Sequence, residues 1–187
     1  CRKANALSNT PLHLAARTGD PAFCRRLLAC GAKVQVYNRF ARTPLFYAVE
    51  SGDLETVKLL VERKAQVRIA DRRKVTPLHL SVYHRHVPVT RYLLARKARV
   101  NVADEDGHTP LHLAAAVGGI EEARALLEGG ADPKAENAAG ETPESLAVAN
   151  GHLDLAMLIA HWARPEVPEQ DFDLSGDDKK KTRKKGK

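Results

Sequence analysis

Histidine is the side chain best suited to chemistry in this sequence, and eight occur in 187 residues. Two spacings would suit a metal ion: His84-x-His86, and His108-x3-His112, which places two imidazoles about one helical turn apart. No cysteine or second ligand pair accompanies either at zinc-site spacing, so no metal site is expected. His13, His79 and His112 each close the same string, Thr-Pro-Leu-His, and belong to a recurring unit. Cys24 and Cys30 fall on one helical stretch and read as small core or surface residues. No glycine-rich phosphate loop occurs, nor a nucleophile beside a base in a recognisable signature. The sequence predicts no enzyme, no catalytic residue and no cofactor.

The elements that carry these residues must be built from a modest set of side chains. Hydrophobic residues make up 43%, but aromatics only 5%, and there is one Met, so the core is expected to be aliphatic. The length allows one domain, two small ones or a linear array of repeats. The longest stretch without Asp, Glu, Lys or Arg is Gly107–Ile120, which includes two His and a Pro and is too short and too polar to span a bilayer. Three cysteines make no disulfide framework and no secretory leader is present, which points to a reducing, intracellular compartment, cytoplasm and/or nucleus. A start on Cys1 and a lysine-rich end read as a piece of a larger, multi-domain chain.

The array is written in the threonines. Thr-Pro occurs at Thr10, Thr43, Thr76, Thr109 and Thr142, with the same interval between every neighbouring pair. An Asn or Asp stands five residues before every Thr (Asn5, Asn38, Asp71, Asp104, Asn137), and a Gly nine after four of them, Arg85 being the exception. Thr can cap a helix and Pro suits its first position, where a missing N–H is no loss. A second helix is expected from near Pro21 and Leu54, with Phe23, Leu27 and Leu28, then Val57, Leu60 and Val61, on its apolar face. Gly31 and Gly130 can end it in the left-handed conformation, with Lys64 and Lys97 less favourable at the same place. Helices of about 8–10 residues are marginal alone, so each pair must bury its faces on the next.

This pattern resembles the ankyrin repeat, which has the same period, turn and TPLHLAA signature (10–16 and 109–115). The resemblance covers about Asn5–Pro165 and implies an all-α solenoid of helix-turn-helix pairs with β-hairpin-like finger loops. It divides the chain into a stub at 1–4, repeats at 5–37, 38–70, 71–103, 104–136 and 137–165, and a disordered tail at 166–187. It also implies that the TPLH histidines are structural hydrogen-bonding groups. The fifth repeat departs at Glu144, Ser145 and Ala163-Arg164-Pro165, as suits a terminal cap whose outer face meets water, with Trp162 over the end of the stack. The first keeps an interior-type signature, which predicts further repeats or a covering partner ahead of it. Asn101, after Leu94 and Arg99-Val100, resembles the ankyrin sites modified by an asparaginyl hydroxylase, with Arg where an acidic residue is commoner.

Charge is divided along the array. Residues 1–103 carry a net +14, residues 104–165 a net −8, and the tail +1. Such a field steers acidic ligands to the leading half. In an ankyrin-like unit the finger tips and inner-helix ends face the concave side, which implies a ribbon of Leu7, Arg17, Arg39, Phe40, Arg42, Glu50, Arg72, Arg73, Tyr83, His84, Glu105, Asp106 and His108. Arg and aromatics are the types enriched in binding hot spots. The expected function is a non-enzymatic interaction module, a scaffold or adaptor, gripping an acidic extended segment of a protein partner. The alternative is nucleic-acid or anionic-surface binding through the basic half and the run Lys179, Lys180, Lys181, Arg183, Lys184 and Lys185, which is also a nuclear-import candidate.

Overall fold

The computed structural model describes residues 4–164, which hold ten α-helices and no strand. They come in five pairs: α1 (Pro11–Arg17) with α2 (Pro21–Ala29), α3 (Pro44–Ser51) with α4 (Leu54–Glu62), α5 (Pro77–Tyr83) with α6 (Val87–Ala95), α7 (Pro110–Val117) with α8 (Ile120–Glu128), and α9 (Pro143–Ala149) with α10 (Leu153–Ala163). Each odd helix packs on the next odd helix and each even helix on the next even one, so the pairs stack as a two-layer solenoid. The five Thr-Pro pairs lie at the helix starts, with Thr as N-cap and Pro as first residue.

The core repeats with the same period as the sequence. Leu12, Leu45, Leu78 and Leu111 are fully buried at one register position, and Leu60, Leu93, Leu126 and Ile159 at another. The stack is tied further by three histidines. In each, the ring Nδ1 accepts the amide of the N-cap threonine, at 3.0 Å for His13, 3.2 Å for His79 and 3.1 Å for His112. The Nε2–H then donates to a carbonyl of the next repeat, Arg42, His108 and Glu141 respectively, at 3.0–3.1 Å. Repeat 2 has Phe46 at this position, fully buried, and the Thr43 hydroxyl is buried without a partner among the described residues.

Both ends of the stack differ from expectation. Phe23 is 42% exposed, and Cys24 takes the buried place beside Leu27 and Leu28. The equivalents of Phe23 are Thr56, Val89, Glu122 and Leu155, all buried; on repeat 1 no helix pair covers that side among the described residues. At the other end Glu144 and Ser145 are exposed, as a cap requires, but apolar groups share the outer face with them. Val148 is 52% exposed, although its four equivalents (Ala16, Val49, Val82, Ala115) are fully buried, and Leu153, Met157 and Trp162 are exposed as well. Trp162 lies on the last turn of α10, partly exposed.

The left-handed turns fall where the period puts them. Gly31 and Gly130 end their helices at φ +79° and +85°, and Lys64 and Lys97 adopt +71° and +60° at the equivalent places. No described helix is long and apolar enough to cross a membrane.

Candidate functional site

Each finger is a turn built on its Asn or Asp. The side-chain Oδ1 accepts the amides two and four residues on: Phe40 and Arg42 for Asn38, Arg73 and Val75 for Asp71, Asp106 and His108 for Asp104. The backbone amide of the same residue bonds the carbonyl four residues on, which closes a small hairpin-like loop without strand pairing. The finger tips then link to one another. Arg39 N–H donates to the Leu7 carbonyl, Arg72 to Phe40, Glu105 to Arg73 and Ala138 to Asp106, each at 3.0–3.1 Å. The tips therefore form one ribbon whose order is Leu7, Arg39-Phe40, Arg72-Arg73, Glu105-Asp106, Ala138-Ala139.

Behind the middle fingers lies an open cleft of about 410 Å³, lined by Arg17, Phe40, Arg42, Tyr47, Glu50, Asp71, Arg72 and Arg73. Six of these were read from the sequence. Tyr47 and Asp71 were not, although both carry a signal: Tyr47 stands where the other repeats have Leu, and its hydroxyl accepts from Asn38 Nδ2 at 2.9 Å. A second, shallower cleft of about 430 Å³ gathers Glu105, Asp106, His108, Ala138, Ala139 and Glu141 around Asn137. Tyr83 and His84 pack edge to face, with ring centroids 5.2 Å apart, at the end of α5 and line neither cleft. Leu7 and Arg39 are exposed on the ribbon.

The arginines are not equivalent. Arg42 Nε donates to Asp71 Oδ2 at 2.8 Å, with the carboxylate nearly buried, so that guanidinium is already committed. Arg73 faces Asp106 at 3.3 Å and Glu105 at 3.8 Å, bridging the basic and acidic halves. Among the described residues, Arg17, Arg39 and Arg72 have no acidic partner, and Glu50 has no basic one. The site is therefore cationic: Arg17 and Arg72 line the cleft together with Phe40, which is 49% exposed, and Arg39 precedes Phe40 on the ribbon.

Asp104, Asp106 and His108 gather their ligand atoms within 4.8 Å, but hydrogen bonds already fix the ring. Asn137 Oδ1 accepts two backbone amides, so its Nδ2 is the group donating to His108 Nε2 at 3.2 Å. The ring proton then sits on Nδ1, which faces Asp104 at 3.7 Å. Asn101 bridges repeats 3 and 4, donating to the Gly130 carbonyl at 3.1 Å and accepting the Asp132 amide at 2.9 Å. Burial pushes the Cys24 thiol up to about 11, helped by Asp20 and Asp53, so it is no thiolate nucleophile near neutral pH. Cys30 is exposed. The lysine-rich run 179–187 lies outside the described residues.

Burial also lowers the pKa of His13, His79 and His112 below 6.5, outweighing the hydrogen bonds that favour the cation. A ring whose Nδ1 must accept a bond is neutral in the folded chain. Below pH 6.5 the unfolded chain takes up protons that the folded one refuses. The stability these rings contribute is thus whole above pH 6.5 and is lost as pH falls toward their native values, at up to about 1.4 kcal/mol per pH unit for each ring. Urea midpoints should be level from pH 8 to 7 and drop between pH 6.5 and 5.5; a level profile through that window would show that the rings titrate normally.

A family model described as ankyrin repeats (3 copies) matches residues 12–104 and again 96–171. A search of the curated proteins returns no match. With most of its length covered, its helix pairs stacked through TPLH histidines and its fingers joined tip to tip, the chain belongs to the ankyrin-repeat family.

Proposed function

We propose that this chain is a non-enzymatic scaffold or adaptor module that holds an acidic, extended segment of a protein partner against the fingers and concave cleft of its first three repeats. Ankyrin repeats are generally protein–protein interaction modules, and generally not enzymes. One observation carries the finer reading: Arg17 and Arg72 line the cleft with an exposed Phe40, Arg39 precedes that Phe on the ribbon, and none of the three has an acidic partner among the described residues, while Arg42 and Arg73 are paired within the chain. Guanidinium groups left unpaired beside an aromatic ring favour carboxylates on an apolar stem. The net +14 of residues 1–103 adds long-range attraction that salt should weaken.

The test is affinity capture with the full chain against a variant carrying Arg39→Glu and Arg72→Glu. Capture of its protein partners should fall by about tenfold or more. Undiminished capture would refute the reading. Binding of random duplex or single-stranded nucleic acid at physiological salt, lost in the same variant, would replace the protein partner with a polyanion.

A further inference from the structure

The tip-to-tip hydrogen bonds turn the finger ribbon into a ruler. Arg39 and Arg72 are equivalent residues of adjacent repeats, both exposed and both without an acidic partner among the described residues. Phe40 lies between them, its carbonyl bonded to the Arg72 amide at 3.1 Å, and Leu7 lies beyond Arg39, its carbonyl bonded to the Arg39 amide at 3.1 Å. Adjacent packed helices set one repeat's advance at about 8–10 Å. Past Arg72 the ribbon is closed to anions: Arg73 is paired with Glu105 and Asp106, and those acids follow it.

A bound segment must therefore present two carboxylates on one side, separated by that one-repeat advance, with an apolar residue between them in sequence. Backbone geometry decides which segment can do so. On a β-strand, side chains facing one way recur every two residues, giving about 7 Å or 13 Å, and neither fits. In a polyproline-II helix they recur every three residues at 3.1 Å each, about 9 Å, which fits. That conformation is also held without internal hydrogen bonds and is recognised elsewhere by exposed aromatic side chains.

We infer that the groove of repeats 1–3 reads a polyproline-II segment with acidic residues at positions i and i+3 and an aliphatic residue or proline between them, the two acids on Arg39 and Arg72 and the intervening residue, turned about 120° from their face, on Phe40 at the cleft. This rests on the proposal that the groove binds an acidic partner and adds the spacing and backbone form of that partner. Glu50, on the cleft wall, is placed to take a basic residue flanking the motif.

Glu166-Val167-Pro168-Glu169 of this chain has the required spacing and supplies a probe. The experiment uses the full chain and three fluorescein-labelled peptides of identical composition, with the two glutamates three apart around Val-Pro, adjacent, or two apart. The three-apart peptide should bind at least about tenfold more tightly than the others. Arg39→Glu should remove that preference, and replacing one glutamate of the peptide by lysine should restore binding to this variant. Equal binding of all three peptides, weakened alike by Arg39→Glu, would overturn the spacing and leave the acidic-partner reading standing. Binding of none would overturn both.

Discussion

Replacing Glu122 by leucine should make the protein more stable, by about 2–3 kcal/mol. Glu122 is 1% exposed in α8, at the join between repeats 3 and 4, and neither carboxyl oxygen has a hydrogen-bond partner among the described residues. A buried polar group left unsatisfied costs about 1–3 kcal/mol, and more when charged. The same register position holds Val89 in repeat 3 and Leu155 in repeat 5, both buried, so the fold already accepts an aliphatic side chain there. Room exists too. One carboxyl oxygen of Glu122 fills the space over Gly119, only 2.8 Å from where a Cβ would sit. The urea midpoint of Glu122→Leu should rise with the slope unchanged. Glu121→Leu, one residue away on the exposed face where Glu121 pairs with Arg91 at 3.3 Å, should move it by less than about 1 kcal/mol. A lower midpoint for Glu122→Leu would mean that the carboxylate is held by contacts worth more than its burial costs.

Glu122 also marks where sequence reasoning stops. What recurs at one spacing is local and was legible: the Thr-Pro helix starts, the Asn and Asp turns, the left-handed Lys64 and Lys97. The finger tips were legible for the same reason, because a tip lies a set number of residues after its Asn or Asp. What depends on the neighbouring repeat was not. Arg42 and Arg73 look as available as Arg39 and Arg72 in the sequence, yet a carboxylate about one repeat further along claims each of the first two. Phe23 has the right spacing for a core face, but that face needs a preceding helix pair to cover it. Val148 and Met157 show the same at the other end, where the polar substitutions Glu144 and Ser145 suggested a wetter surface than α9 and α10 present. In a solenoid each unit writes half of an interface, and a single unit's pattern cannot say what the other half supplies.

How neighbouring repeats fit is tested most sharply at Gly52. It turns the chain at φ +76°, and the His86 ring of the next repeat lies over it, held by Nε2–H donating to the Glu50 carbonyl at 3.2 Å. A Cβ at Gly52 would stand 2.5 Å from His86 Cε1. Gly52→Ala therefore meets two costs, about 1 kcal/mol for a left-handed alanine and about 1–3 kcal/mol for displacing the ring. A loss of about 2–4 kcal/mol is expected in chemical denaturation. The chain shows how that clash is relieved. Gly118 is paired in the same way with His152, but the intervening join has Arg85 at φ +58° in the glycine's place, and there the register position of His86 and His152 is held by Gly119. A side chain on one repeat is matched by its removal from the next. Adding His86→Gly to Gly52→Ala should thus recover part of the loss, although His86→Gly alone forfeits the bond to Glu50. The double-mutant cycle should show a favourable coupling of at least about 1 kcal/mol. Strict additivity would mean that the ring swings aside freely, and that Arg85 and Gly119 are not a compensating pair.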